Sequence, residues 1–160
     1  MSNRRHSHKR LLKVKSSGIQ GHGVFAARRI RKGRRIVEYT GEIIDAREEA
    51  RRYDDDAMDR HHTFLFMIDE NTSIDATHRG GIARYINHSC DPNCEAVWED
   101  GRIYIEAVRH IRTGEELTYD YSFEHEGEIT GRLREQYACC CGSANCRGTI
   151  LKPSGNGDGN

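Results

Sequence analysis

Four cysteines fall within eight positions, Cys139, Cys140, Cys141 and Cys146, in the stretch "ACCCGSANC"; the other two of six, Cys90 and Cys94, stand far upstream. Cys139-x-Cys141-x4-Cys146 brings three thiolates within reach of one centre, and soft sulfur ligands in a tetrahedron favour Zn²⁺. In a C-x-C pair the intervening side chain points away, which excludes Cys140. A closed site needs a fourth ligand, and spacing alone leaves it open between Cys90, Cys94 and a histidine. No apolar run follows the basic N-terminus as it would in a secretory signal, so a reducing, intracellular setting is expected and disulfides are disfavoured.

The elements that must carry this centre are short. Segments such as "GVFAARRI", "RIVEYTGEII", "TFLFMIDE", "SIDAT" and "GEELTYDY" hold β-type residues punctuated by Gly, Asp or Asn. In "WEDGRIYIEAV", Asp100-Gly101 between alternating segments predicts a hairpin with a type I′ turn. Residues 45–57 carry an Asp cap and helical acid–base neighbours, and residues 127–137 suit another helical turn or two. The expected class is mainly β with small helical inserts.

Charge is unevenly placed. The formal net charge is zero, yet residues 1–35 hold 12 of the 25 Lys and Arg and no acid, leaving +12 on that part and −12 on the rest. Residues 1–15 read as a basic flexible arm, able to hold nucleic acid or an acidic protein surface, and residues 153–160 as a disordered tail. With 36% apolar and 31% charged residues and a mean hydropathy of −0.82, no segment approaches a membrane span.

"RYINHSCDPNCEAV" at 84–97 and "GEELTYDY" at 114–121 resemble the SET domain of protein lysine methyltransferases. The likeness continues through "GIQGHGVFAARRIRKGRRIVEYTGEII" at 18–44, "MIDENTSIDATHRGGIARYINHSC" at 67–90 and a cysteine-rich post-SET end. It is closest to the trithorax/mixed-lineage-leukaemia type. The resemblance implies several small curved sheets with a C-terminal pseudoknot: a SET domain at 16–124, a connecting insert at 125–136 and a zinc-binding post-SET segment at 137–152. It implies one structural zinc on Cys90, Cys139, Cys141 and Cys146, with Cys94 a buried thiol outside the metal shell.

The implied methyl donor is S-adenosylmethionine, contacted by Gln20, His22, Gly23, Phe64, Asn87, His88 and Cys140. Gly21 and Gly23 flank His22, and their small size would let the backbone approach the cofactor. Tyr121 corresponds to the catalytic tyrosine on the floor of the lysine channel, and Tyr39 to a channel-lining residue. Tyr119 stands where Tyr restricts the product to mono- or dimethyl-lysine; Phe64 replaces a tyrosine of close relatives. The implied substrate is a lysine in a histone or other basic protein. Further expected partners are nonspecific nucleic acid along residues 1–35 and an activating subunit near 45–62 or a second copy. The competing reading is a SET-like peptide-binding module, or a nucleic-acid-tethered protein, with little turnover; Asn87, His88, Tyr119 and Tyr121 together argue for turnover.

Overall fold

In a computed structural model, residues 11–53, 63–125 and 127–152 are described. The chain runs β1 (Leu12–Ser16), β2 (His22–Ala26), β3 (Arg35–Tyr39), β4 (Glu42–Asp45), α1 (Ala46–Arg52), β5 (Leu65–Asp69), β6 (Thr72–Asp75), a 3-10 turn (Ile82–Tyr85), β7 (Asn87–His88), β8 (Cys94–Glu99), β9 (Arg102–Ala107), β10 (Thr118–Tyr119) and α2 (Gly131–Gln136). The strands make four small sheets, ordered β1-β2, β10-β7, β3-β9-β8 and β4-β6-β5. Ile30, Ile36, Ile86, Ile105, Ile111, Leu117 and Val24 are fully buried where these sheets face one another, each adding roughly 1.5–3 kcal/mol of hydrophobic stabilisation.

Local chemistry explains the turns. Asp100 (φ 50°) and Gly101 (φ 77°) both occupy the left-handed region, as a type I′ hairpin between β8 and β9 requires. Asp45 caps α1 by accepting from the Glu48 N–H at 2.8 Å. The helix stops at Arg52, sooner than expected, and residues 54–57 of the expected helix lie outside the described residues. Arg52 anchors it by donating to Glu42, Glu48 and the buried carboxylate of Asp75.

The structure corrects the N-terminal boundary. Leu12–Ser16 is not an arm but a strand, paired antiparallel from Leu12↔Ala26 to Ser16↔His22. Leu11 and Leu12 are buried, and their apolar surface outweighs the charge of Lys13 and Lys15 on the exposed side. Residues 1–10 and 153–160 lie outside the described residues.

The parallel pair β7–β10 joins segments far apart in sequence, with Thr118↔Asn87 and Tyr119↔His88 in register. Asn93 locks this crossing: its Oδ1 accepts from the Thr118 N–H at 2.9 Å and its Nδ2 donates to the Glu116 carbonyl at 2.8 Å. Beyond it, residues 137–151 fold back on themselves through Cys139 N–H to Gly148 O and Ile150 N–H to Tyr137 O. Leu151 then bridges to Phe123, so the C-terminal loop hangs beside the segment that follows β10.

Candidate active site and metal centre

The sulfur atoms of Cys90, Cys139, Cys141 and Cys146 all lie within 4.8 Å of one another, and Cys90 and Cys139 are 3.8 Å apart. A tetrahedral ZnS₄ centre with bonds near 2.3 Å has sulfur–sulfur edges of about 3.8 Å, so the donor set fits one such ion. Backbone N–H groups point at the sulfurs: Arg147 to Cys90, Cys141 to Cys139 and Gly148 to Cys146, each at 3.4 Å. Burial pushes the Cys90 and Cys139 thiols up. At Cys141 burial acts the same way but is outweighed by hydrogen bonds from the Cys90 backbone and from Ser143, which hold it at about 5. A dication is what would let all four ionise together. Cys94 is remote from this cluster; it is 1% exposed in the core, and burial pushes its thiol up to about 12. Cys140 is exposed and turns to a neighbouring cleft.

That cleft is walled by Gln20, Gly21 and His22 on one side, Phe64, Arg84 and Tyr85 on another, Asn87 and His88 at the back, and Cys139 and Cys140 as a cap. Asn87 Nδ2 donates to Gln20 O, His22 O and Glu116 Oε1 at 3.0–3.1 Å, leaving its Oδ1 as the amide atom outside those bonds. Phe64 meets Tyr85 edge-on with ring centres 5.7 Å apart. The Arg84 guanidinium sits 4.7 Å over the Tyr85 ring. Flat aromatic faces, backbone polar groups and one fixed cation suit a ligand with a heteroaromatic ring and an amino-acid end.

Gly23 also answers a packing constraint. It is buried in β2 rather than on the cleft wall, and a Cβ there would lie 2.2 Å from Glu116 Oε1. The residue makes room for a carboxylate that also accepts from Ser17 Oγ at 2.8 Å. A Cβ added at Gly21 would meet nothing within 4 Å, so its φ of +47° is the reason for glycine.

His88 carries more of the architecture than the resemblance implies. Its Nδ1 accepts from the Tyr121 N–H at 3.0 Å and its Nε2 faces Cys90 Sγ at 3.4 Å. Both ring nitrogens are thereby engaged, with the proton on Nε2. Burial pushes this imidazole down to about 4, with Asp120 pulling the other way and Arg147 adding to the fall, so the ring is neutral near pH 7. A ligand in the cleft meets its backbone or ring face rather than a free nitrogen.

Tyr121 donates its hydroxyl to the Ile86 carbonyl at 2.5 Å and stacks obliquely on Tyr119, with centres 4.8 Å apart. Burial holds the phenols of Tyr121, Tyr119 and Tyr39 well above the ordinary tyrosine range, so all three stay protonated. Tyr39 lies on neither cleft wall. It is buried behind Phe66, 5.3 Å between centres, and Phe66 in turn faces Tyr119 at 6.1 Å.

A second, wider groove runs on the other side, between the free edge of β5, the Pro92–Ala96 segment and residues 119–124. Tyr121 and Phe123 belong to the walls of both clefts. Sequence reasoning missed Phe66, Phe123, Glu116 and Arg147. The signal for the two phenylalanines was present: Tyr119, Tyr121 and Phe123 recur at every second position, as do Phe64 and Phe66, which puts rings on one face of an extended segment. Arg147 clasps Asp120 with two bonds of 2.8 and 3.0 Å, tying the cysteine loop to the residue beside Tyr121.

A cleft and a groove thus meet at one aromatic wall, Tyr121 with Phe123, and the cysteine loop borders the cleft through Cys139 and Cys140. Residues 21–122 match the family model described as SET domain, and the chain belongs to that family. Similar proteins include a "Histone-lysine N-methyltransferase, H3 lysine-4 specific" from Emericella nidulans, 46% identical over 151 residues covering 89% of this chain. One of the same description from Saccharomyces cerevisiae is 45% identical over 141 residues, 84% of this chain. "Histone-lysine N-methyltransferase trr" from Drosophila melanogaster is 44% identical over 135 residues, 82% of this chain. These agree with the trithorax-type resemblance. The chain spans only 12%, 12% and 5% of those relatives' own lengths.

Proposed function

We propose that this chain is a protein-lysine N-methyltransferase that moves a methyl group from S-adenosylmethionine to a lysine of a histone or other basic protein, giving mainly mono- or dimethyl-lysine. The observation that carries the reading is the shared wall: Tyr121 and Phe123 border both the cleft and the groove. A side chain entering from the groove therefore meets a ligand in the cleft end to end.

S-adenosylmethionine, when bound, supplies a methyl group activated on a sulfonium. Asn87 Oδ1 and the backbone of Gln20 to His22 would hold its amino-acid end, Arg84 its carboxylate, and Phe64, Tyr85 and Cys140 its flat ring. Tyr119, Tyr121 and Phe66 align the incoming amine. Deprotonating a lysine of pKa near 10.4 at pH 7.5 costs about 4 kcal/mol; an aromatic channel facing a positive sulfonium lowers that cost. The protonated phenols give no general base, so the amine loses its proton to solvent on the way in. Alignment and oxygen atoms around the methyl account for the rest. Zinc on the four cysteines would be structural, without an open coordination position.

Tyr121→Phe is expected to lower kcat at least tenfold, about 1.4 kcal/mol, while the Kd for S-adenosylmethionine changes less than twofold. Unchanged turnover in a labelled-methyl assay would overturn the catalytic assignment.

A second activity is favoured by a separate observation. Arg28, Arg29, Arg31, Lys32 and Arg34 are exposed around the turn before β3, which supports salt-sensitive contact with a nucleic-acid backbone. An activating subunit would cover Ile43, 65% exposed beside α1. On this reading the protein works on chromatin in a nucleated host, and in the cytoplasm otherwise.

A further inference from the structure

The groove by which a lysine would reach Tyr121 is acidic. Asp69 and Glu70 at the end of β5, Glu95 in β8, Asp120 and Glu124 line it, and no Lys or Arg does, although Arg147 clasps Asp120 from outside the lining. Asp69, Glu70 and Glu95 are exposed and form no ion pair among the described residues, whereas Glu124 is met by Lys152 at 3.1 Å. A segment that places positive charges on both sides of its lysine complements three uncompensated carboxylates. The chain carries such a segment. "MSNRRHSHKR", residues 1–10, holds Arg4, Arg5, Lys9 and Arg10, no acid and a single lysine.

We infer that Lys9 of one copy is methylated in the groove of another copy; this rests on the lysine-methyltransferase reading above. The anchor of the segment sets the route. Leu11 and Leu12 are buried, and Leu12 pairs with Ala26 at the end of the β1–β2 hairpin remote from the Ser16↔His22 pair at the cofactor cleft. Four strand steps separate those ends, about 13 Å, and the groove shares Tyr121 and Phe123 with the cleft. Two links from the buried Leu11 advance the backbone by at most about 7 Å, so Lys9 is tethered to its own hairpin. A neighbouring copy has no such tether.

The step balances with the methyl donor already named. Lys9 Nζ gives a proton to solvent and its lone pair forms the N–C bond. The C–S bond breaks with its electrons staying on sulfur, leaving methyl-lysine and a neutral thioether.

The test uses the full, untagged chain with labelled S-adenosylmethionine and no other protein, read by mass spectrometry, beside a parallel assay on an added peptide with one arginine-flanked lysine. Label is expected at Lys9, at a rate rising with the square of chain concentration, and absent in Lys9→Arg, which still methylates the peptide. Mixing Lys9→Arg with Tyr121→Phe should place label on Lys9 of the Tyr121→Phe copy. Asp69→Asn/Glu70→Gln/Glu95→Gln should slow Lys9 methylation at least tenfold and flatten its salt dependence. Peptide methylation without label at Lys9 overturns the inference and leaves the methyltransferase reading standing. Absence of both overturns that reading too. A rate first-order in chain, with no transfer between the mixed variants, overturns the intermolecular route, and an unchanged triple variant overturns the role of the groove.

Discussion

A single carbon atom at position 23 would collide with Glu116, the carboxylate that receives Ser17 and Asn87 together. Gly23→Ala is therefore expected to destabilise the fold by about 1–3 kcal/mol, as overpacking does. It should also weaken S-adenosylmethionine binding, because Asn87 loses its fixed partner. Urea unfolding and calorimetric titration measure the two effects. Adding Glu116→Ala should restore most of the stability but not the binding, a pattern that a crowded cofactor would not produce. The glycine itself was legible in the sequence. Its cause was not, because Glu116 lies ninety-three positions away and no local spacing connects them. The cysteines differ: three ligands followed from C-x-C-x4-C, while the fourth stayed open among Cys90, Cys94 and histidine until the NHSC likeness singled out Cys90. The structure gathers those same four sulfurs.

The loop from Tyr137 to Leu151 is held by more than its sulfurs. Arg147 reaches back to Asp120, and its own N–H points at Cys90, so the loop has one clasp that needs no metal. Arg147→Met should leave one zinc equivalent bound by elemental analysis while raising the Kd for S-adenosylmethionine severalfold. A double-mutant cycle with Asp120→Asn should show a coupling of about 1 kcal/mol. Lost zinc in the single variant would mean that the clasp serves the metal instead. Elements with strong alternation and defined turns were readable beforehand, β8 and β9 above all, because Asp100-Gly101 dictates its own turn. Strand β1 was not: "LKVKS" alternates apolar with lysine, but its setting in a run of basic residues reads as solvated chain. Only pairing with β2 and burial of Leu12 decide for a strand.

At the scale of the molecule, the main apolar core among the described residues runs from Leu11 to Tyr119, with Tyr121 packed at its margin. The C-terminal loop contributes Tyr137 and Leu151 to a separate small contact with Phe123. Removing zinc with a chelator should thus act on the loop and spare the core. Hydrogen exchange should speed at Cys139 and Ile150, amides bonded within the loop, while β8 and β9 keep their protection. Methyl transfer should stop in the same titration. Simultaneous loss of protection in β9 would show that core and loop form one cooperative unit. The nearness of residue 90 to residue 140 came from family likeness alone, since chain crossings leave no trace in composition or periodicity.

The two-residue parallel pair of β7 and β10 also sets an order of events. Asn87 and His88 find their neighbours only when Thr118 and Tyr119 arrive, with no short turn to bring them together, and such distant pairings form slowly. During synthesis the chain is made from its N-terminus, so the hairpins precede the crossing and the crossing precedes the sulfur loop. The wall shared by cleft and groove, Tyr121 with Phe123, therefore takes shape only after the sheets that frame it.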